Sequence, residues 1–170
     1  IKEEQNIVWF HCASLGEFEQ GKPIIETYKQ KYPKHRILLT FFSPSGYEIR
    51  KNYKSANWVF YLPADTKANA KRFISIVKPI KAVFVKYEFW FNYMTELKKQ
   101  NIPFYSVSTI FRKEQVFFKY KWFAKQLNNV SHFFVQDKNS KELLQNIGFS
   151  NCTLAGDTRF DSVIANIQNA

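Results

Sequence analysis

The sequence predicts an α/β domain with a Rossmann-like, doubly wound, mainly parallel sheet of six or seven strands. Two observations carry this expectation. Short β-rich apolar runs alternate with longer amphipathic segments along most of the chain. The runs are continuously apolar rather than alternating, the pattern of strands covered by helices on both faces.

In chain order, the first strand is "IVWFHCA" (7–13), followed by the small-residue turn of "SLGEFEQ" and a helix near 18–31. "RILLTFF" (36–42) is the second strand, and a Ser-Pro-Ser-Gly turn opens a helix near 45–54. "WVFYLP" (58–63) is the third, after which "ADTKAN" supplies Asp65 or Thr66 as the N-cap of a helix at 66–78, stopped by Pro79. "AVFVKYE" (82–88) leads into a helix near 89–100, and Pro103 separates that helix from "PFYSVS" (103–108). A helix near 115–129, the strand "HFFVQD" (132–137), a helix at 139–147 ended by Gly148 and the strand "CTLAG" (152–156) follow. The chain finishes in a polar helical stretch, "DSVIANIQNA", and shows no internal repeat, low-complexity segment or interior linker.

The 170 residues, 45% hydrophobic and 18% aromatic, suffice for one domain spanning 1–170 with a sizeable core. A net charge of +11 implies an anionic partner: a phosphorylated ligand, an acidic membrane surface or nucleic acid. Cys12 and Cys152 both sit in apolar runs, which reads as two buried thiols in a reducing compartment. No stretch approaches the roughly 20 apolar residues of a membrane span, and "IKEEQN" is unlike a signal peptide, so a soluble chain is expected. Either end is compatible with a cut in a longer protein.

Ligands of open parallel sheets bind beyond the carboxyl ends of the strands where strand order reverses. With the common order 3-2-1-4-5, the loops after residues 13 and 87 face that crevice, and each carries a glutamate, Glu17 or Glu88. An acid in a first helical turn is favoured by the helix dipole, so capping explains either one. An ionised carboxylate aimed into a crevice can equally take a proton from a substrate hydroxyl. The loop after the second strand adds Ser43, Ser45 and Gly46, which read as capping residues or as part of an anion site.

The chain lacks the G-x-G-x-x-G and G-x-x-x-x-G-K-[ST] spacings, which argues against NAD and ATP. His11, His35 and His132 have no metal-ligand spacing and no D-x-D occurs, so neither a metal nor another cofactor is expected. His11 reads as a structural histidine or as a strand-end residue beside the crevice. The segment "FRKEQVFFKYKWFAKQ" (111–126) sets Arg112, Lys113, Lys119 and Lys121 among aromatic residues. One reading is a helix with a buried aromatic face and solvated lysines; the other is contact with anionic lipid. No nucleic-acid-binding motif is recognisable, and nucleic acid is not an expected partner.

Six stretches together resemble one family: "WFHCASLGEFEQGKPII", "LLTFFSPSGYE", "FYLPADTKANAKRFI", "KPIKAVFVKYEFWFNYMTELKKQNIPFYSVS", "FFVQDKNSKELLQNIG" and "LAGDTRFD". In this order they are similar to the amino-terminal domain of the 3-deoxy-D-manno-octulosonic acid (Kdo) transferases of lipopolysaccharide synthesis, glycosyltransferases of the GT-B type. The first and fourth are the most specific. The resemblance implies transfer of Kdo from CMP-Kdo to a hydroxyl of a lipid A precursor at the cytoplasmic face of the bacterial inner membrane, with no cofactor. It also implies that the acceptor is held mainly by this half and the donor mainly by a second, absent Rossmann-like domain. An isolated half would then bind acceptor or lipid without catalysing transfer.

Within the family's S-x-G-E motif, here "SLGE", the general base falls on Glu17, with Ser14 and Gly16 shaping its loop. The E-x-W-x-N motif, here "EFWFN", brings Glu88, Trp90 and Asn92 to support the acceptor site or the base. Where relatives read T-x-T-x-T-G this chain has "TFFSPSG", keeping hydroxyls at Thr40, Ser43 and Ser45 and the glycine at Gly46. An Asn-x-Arg stretch is replaced by "STIFRKEQ", in which Arg112 is a displaced basic residue without a catalytic role. Rival readings are another GT-B sugar enzyme, either a lipid-linked glycosyltransferase or a nucleotide-sugar epimerase, and a non-catalytic basic module acting on membrane or nucleic acid.

Overall fold

A computed structural model describes residues 6–156. The polar helical stretch expected at the end of the chain, and the DTRFD end of "LAGDTRFD", lie outside the described residues. Seven strands alternate with helices in chain order: β1 (Ile7–His11), α1 (Leu15–Lys31), β2 (Arg36–Phe41), α2 (Pro44–Arg50), β3 (Trp58–Tyr61), α3 (Lys67–Val77), β4 (Lys81–Val85) and α4 (Phe91–Lys99). Then come β5 (Phe104–Thr109), α5 (Val116–Lys119), α6 (Lys121–Gln126), a 3₁₀ turn (Leu127–Asn129), β6 (His132–Val135), α7 (Lys138–Asn146) and β7 (Cys152–Leu154). Every strand pair is parallel, and the order β3-β2-β1-β4-β5-β6-β7 is the doubly wound arrangement expected from sequence.

Successive residues of a strand point to opposite faces, so β1 feeds two cores. Val8, Phe10 and Cys12 join Phe18, Ile24, Ile25 and Tyr28 of α1 on one side. Trp9 joins Ile74 of α3 and Tyr93, Met94 and Leu97 of α4 on the other. Its indole meets Phe73, Phe84 and Tyr93 with ring centroids 4.8, 4.8 and 5.7 Å away. Both cysteines are buried and unpaired.

Two glycines let helices approach closely. A Cβ at Gly21 would lie 2.8 Å from Val85 Cγ2 and 3.1 Å from Cys12 Sγ, so the glycine seats α1 on β1 and β4. A Cβ at Gly46 would lie 2.3 Å from the Phe41 ring, which fixes the position of α2 against β2.

Most elements end a residue or more from the expected boundaries, and the differences at α1, β4 and the helix over 115–129 have clear local causes. α1 begins at Leu15, three residues early, because Ser14 is its N-cap. β4 stops at Val85, because Lys86 takes the left-handed conformation (φ 64°) and turns the chain out of the sheet. Glu88 consequently stands in a loop rather than at a strand end. Thr66 caps α3, whereas Asp65 accepts from the backbone N–H groups of Asn92 and Tyr93 and so caps α4. The helix expected over 115–129 is broken at the extended residue Tyr120. Its aromatic residues cannot all share one helical stripe; the break lets Phe117 and Phe123 both reach Phe91, at 6.4 and 5.9 Å.

Substituting Gly46→Ala should lower stability by about 1–3 kcal/mol, because Phe41 is fully buried and cannot swing away. Urea unfolding of the variant beside the parent measures this.

Candidate active site

β2, β1 and β4 are neighbours in the sheet, so the loops after their carboxyl ends come together at the switch-point crevice, where Trp90 meets Phe42 and His11. After β1, the Ser14 N–H donates to Glu17 Oε2 (2.8 Å), the reach-back arm of a capping box at the start of α1. Capping and presentation at the crevice are therefore one arrangement: the bond that holds the helix end also fixes the direction of the carboxylate. Glu17 is half-buried, and the neighbouring Gly16 is exposed, with nothing within 4 Å of where a Cβ would stand. Glu19, two residues on, turns away and pairs with Arg50 of α2 at 2.7 Å.

After β4, Glu88 accepts a hydrogen bond from Trp90 Nε1 through Oε2. The Trp90 ring spans the crevice, meeting Phe42 from the loop after β2 at 4.9 Å and His11 at the end of β1 at 5.3 Å. His11 Nε2 lies 3.6 Å from the same Glu88 oxygen. On its other side, His11 Nδ1 is 2.9 Å from Thr40 Oγ1, which also accepts from Trp9 Nε1 at 2.8 Å. A chain of polar groups thus runs from the core through Thr40 and His11 to the crevice carboxylate.

The electrostatics follow from burial. Desolvation, and secondarily the Glu88 carboxylate, hold the Glu17 carboxyl above its ordinary value; the Ser14 hydrogen bonds and His11 pull it back. A carboxylate with raised proton affinity is a better acceptor near neutral pH than an ordinary one. Burial, then Glu17 and Glu88, push the Cys12 thiol well up, so this cysteine is a protonated packing group rather than a nucleophile.

The remaining expected residues divide. Ser14, Gly16, Glu17, Thr40 and Glu88 converge on the crevice or its inner wall. Ser43 caps α2, accepting from the Ser45 N–H at 3.3 Å and lying 2.9 Å from Ser45 Oγ, and Gly46 is packed on Phe41. Thr40 is fully buried and belongs to the inner polar chain rather than to an anion-binding loop. Asn92 gives its side-chain amide to the Asp65 carbonyl at 2.9 Å, tying α4 to the loop after β3. Arg112, Lys113, Lys119 and Lys121 are exposed, and Lys119 and Lys121 line an open groove of about 510 Å³ with Tyr120 and Phe149. Trp122 and Tyr120 are each 60% exposed, whereas Phe117 is buried, so the segment both fills the core and shows rings to solvent.

Among the described residues no group of three His, Cys, Asp or Glu side chains could hold a metal ion, and no helix is long and apolar enough to cross a membrane. The approach of His11 to Glu88 was not readable beforehand. Its one sequence signal is the alternation of β1, which puts His11 on the Trp9 face at the strand's carboxyl end.

A family model described as 3-deoxy-D-manno-octulosonic-acid transferase (kdotransferase) matches residues 1–162. The 3-deoxy-D-manno-octulosonic acid transferase of Haemophilus influenzae is 33% identical over 98 residues, 57% of this chain and 23% of that protein. That of Aquifex aeolicus is 38% identical over 95 residues (53% and 25%), and that of Rickettsia bellii 26% over 163 residues (94% and 39%). The chain spans well under half the length of these relatives. Among solved structures, UDP-GlcNAc 2-epimerase from Neisseria meningitidis, bound to UDP-GlcNAc, superposes with a TM-score of 0.66 at 12% identity, over 96% of this chain and 50% of that one. Acinetobacter baumannii MurG gives 0.56 at 6% identity, over 80% and 42%. At such identities the likeness is one of fold: a GT-B-like half.

Replacing Glu88 by Gln removes a negative neighbour, so the Glu17 carboxyl should titrate at lower pH than in the parent while staying above the ordinary glutamate range, because burial is the larger cause. Carboxyl-carbon NMR across a pH series reads this directly.

Proposed function

The chain belongs to the 3-deoxy-D-manno-octulosonic acid (Kdo) transferase family, and from that membership we propose that it is the acceptor side of an enzyme moving Kdo from CMP-Kdo to a lipid A precursor. The observation that carries this reading is Glu17: a half-buried carboxylate, oriented by Ser14 at the switch point of the sheet and raised in proton affinity by its surroundings. A sugar hydroxyl is a poor nucleophile at neutral pH. In the proposed step its oxygen bonds to the anomeric carbon of Kdo, its proton passes to Glu17, and the bond from that carbon to the CMP phosphate breaks, the electron pair leaving with CMP. A positioned base contributes typically about 10²–10⁴-fold to such a step.

Glu88 supports the base by adding negative charge beside it, and Trp90 offers an aromatic wall on which a sugar ring can stack. CMP-Kdo would be held mainly by a second domain of the kind that completes a GT-B enzyme. The resemblance to the family implies that the reaction takes place at the cytoplasmic face of the bacterial inner membrane, where a lipid-linked acceptor and a water-soluble donor can meet. The net charge of +11 and the exposed Arg112, Lys113, Lys119 and Lys121 suit an anionic lipid surface.

In the full-length protein, Glu17→Gln should reduce Kdo transfer to a tetra-acylated lipid A precursor by about 10²–10⁴-fold without unfolding the chain. Retained activity in a folded Glu17→Gln protein returns this residue to helix capping alone. The double variant Lys119→Glu/Lys121→Glu should bind anionic phospholipid vesicles at least about tenfold more weakly, with a shallower salt dependence, and bind neutral vesicles unchanged. Equal binding of parent and variant to anionic vesicles would remove this segment from the membrane contact.

A further inference from the structure

His11 is fully buried, and its Nε2 has no hydrogen-bond partner among the described residues. Buried polar atoms are rarely left unsatisfied, and the exceptions concentrate where function needs them. The surroundings determine which ring nitrogen carries the proton. Thr40 Oγ1 already accepts from Trp9 Nε1, and the hydroxyl has one proton to give, either to the Phe10 carbonyl at 3.4 Å or to His11 Nδ1 at 2.9 Å. The shorter contact favours Nδ1 as the acceptor, which leaves the proton on Nε2. A doubly protonated ring also carries it there. Only the third state, with a bare lone pair on Nε2, would set that lone pair against the Glu88 carboxylate 3.6 Å away.

We propose that His11 is a positioning residue for Glu88: anchored through Nδ1 to Thr40, it turns an Nε2 proton toward the carboxylate and, with Trp90 Nε1, holds Glu88 in the crevice beside Glu17. The inference rests on the reading of Glu17 as the base, since what it adds is the device that keeps the second carboxylate in place. With Trp90 Nε1 donating to it and His11 Nε2 facing it, the Glu88 carboxylate is kept beside Glu17. The separation of 3.6 Å is that of a contact with room to close, as catalytic hydrogen bonds do when a substrate fills the site. Around the ring stand Thr40 from β2, Phe84 from β4, Trp90 and Glu88 from the loop after β4, and the electrostatically coupled Glu17 from α1. Glu88 and Glu17 are the ionisable groups of that shell.

The test is a double-substitution cycle in the full-length protein, reading kcat/KM for Kdo transfer against pH. His11→Phe keeps the ring volume against Phe84 and Trp90 but removes both nitrogens; it should lower kcat/KM about tenfold or more and move the acidic limb to higher pH, since His11 lowers the proton affinity of Glu17. His11→Gln, whose amide nitrogen falls near the position of Nε2, should restore most of the loss. In a Glu88→Gln background the same His11→Phe change should cost far less, because the partner is gone. Equal costs in both backgrounds, or Phe and Gln equally impaired with an unmoved acidic limb, would make His11 a packing residue and overturn the proposal. A readout independent of transfer, and of whether His11→Phe folds, is the nitrogen-15 spectrum of His11: its Nε2 resonance should move in Glu88→Gln, and an unmoved resonance overturns the proposal. Loss of the Glu17 reading would appear separately, as transfer that survives Glu17→Gln.

Discussion

β1 lies between β2 and β4, and the chain leaves its carboxyl end toward β2 while the chain leaving β4 goes on to β5. No connection therefore crosses the groove between these two strand ends, so side chains from the loops after β1 and β4 can meet there. Everything at the candidate site depends on that reversal. Glu17 and Glu88 are 71 residues apart in sequence, yet each influences the same small volume because one follows β1 and the other follows β4.

The crevice is supported from beneath by polar groups that the two cores cannot leave unpaired. Trp9 is a core residue by every measure of packing, but its indole N–H has to find an acceptor once buried. Thr40 supplies it, and in doing so is placed to meet His11. The register of β1 against β2, with His11 opposite Thr40, makes that meeting obligatory. Packing of the core and orientation of the site are thus two consequences of one strand pairing. Above them, Trp90 closes the arrangement by touching His11, Phe42 and Glu88 from a loop that exists because Lys86 turns the chain out of the sheet.

The same sequence features served structure and site together at α1. Capping and catalysis compete as explanations of Glu17 when only spacing is known; the structure shows the capping box directly, with the Ser14 N–H donating to Glu17 Oε2, and burial raising the carboxyl's proton affinity. At Asn92 and at Ser43 and Ser45 the geometry instead shows groups already engaged with backbone and with each other. Their part in the site is to hold the rim loops in place. In the basic aromatic segment a break at Tyr120 sends Phe117 inward, as the packing reading expects, and leaves Trp122 outside.

The sequence by itself determined the alternation of strands and helices, the parallel sheet, the doubly wound order and the two glutamates at its switch point. These depend on local periodicity, on capping residues and on the rule that ties parallel strands to crossover helices, all of which are written in short windows of chain. It also held the family's motifs in order. Only the tertiary structure decided that His11 faces Glu88, that Asp65 caps α4 instead of α3, and that the strand before Glu88 stops at Val85. The physical reason is range: each of these is a contact or a backbone turn set by residues of a neighbouring strand or loop, 22 to 77 positions away, and no local pattern encodes which of several polar groups will be nearest when the sheet is assembled.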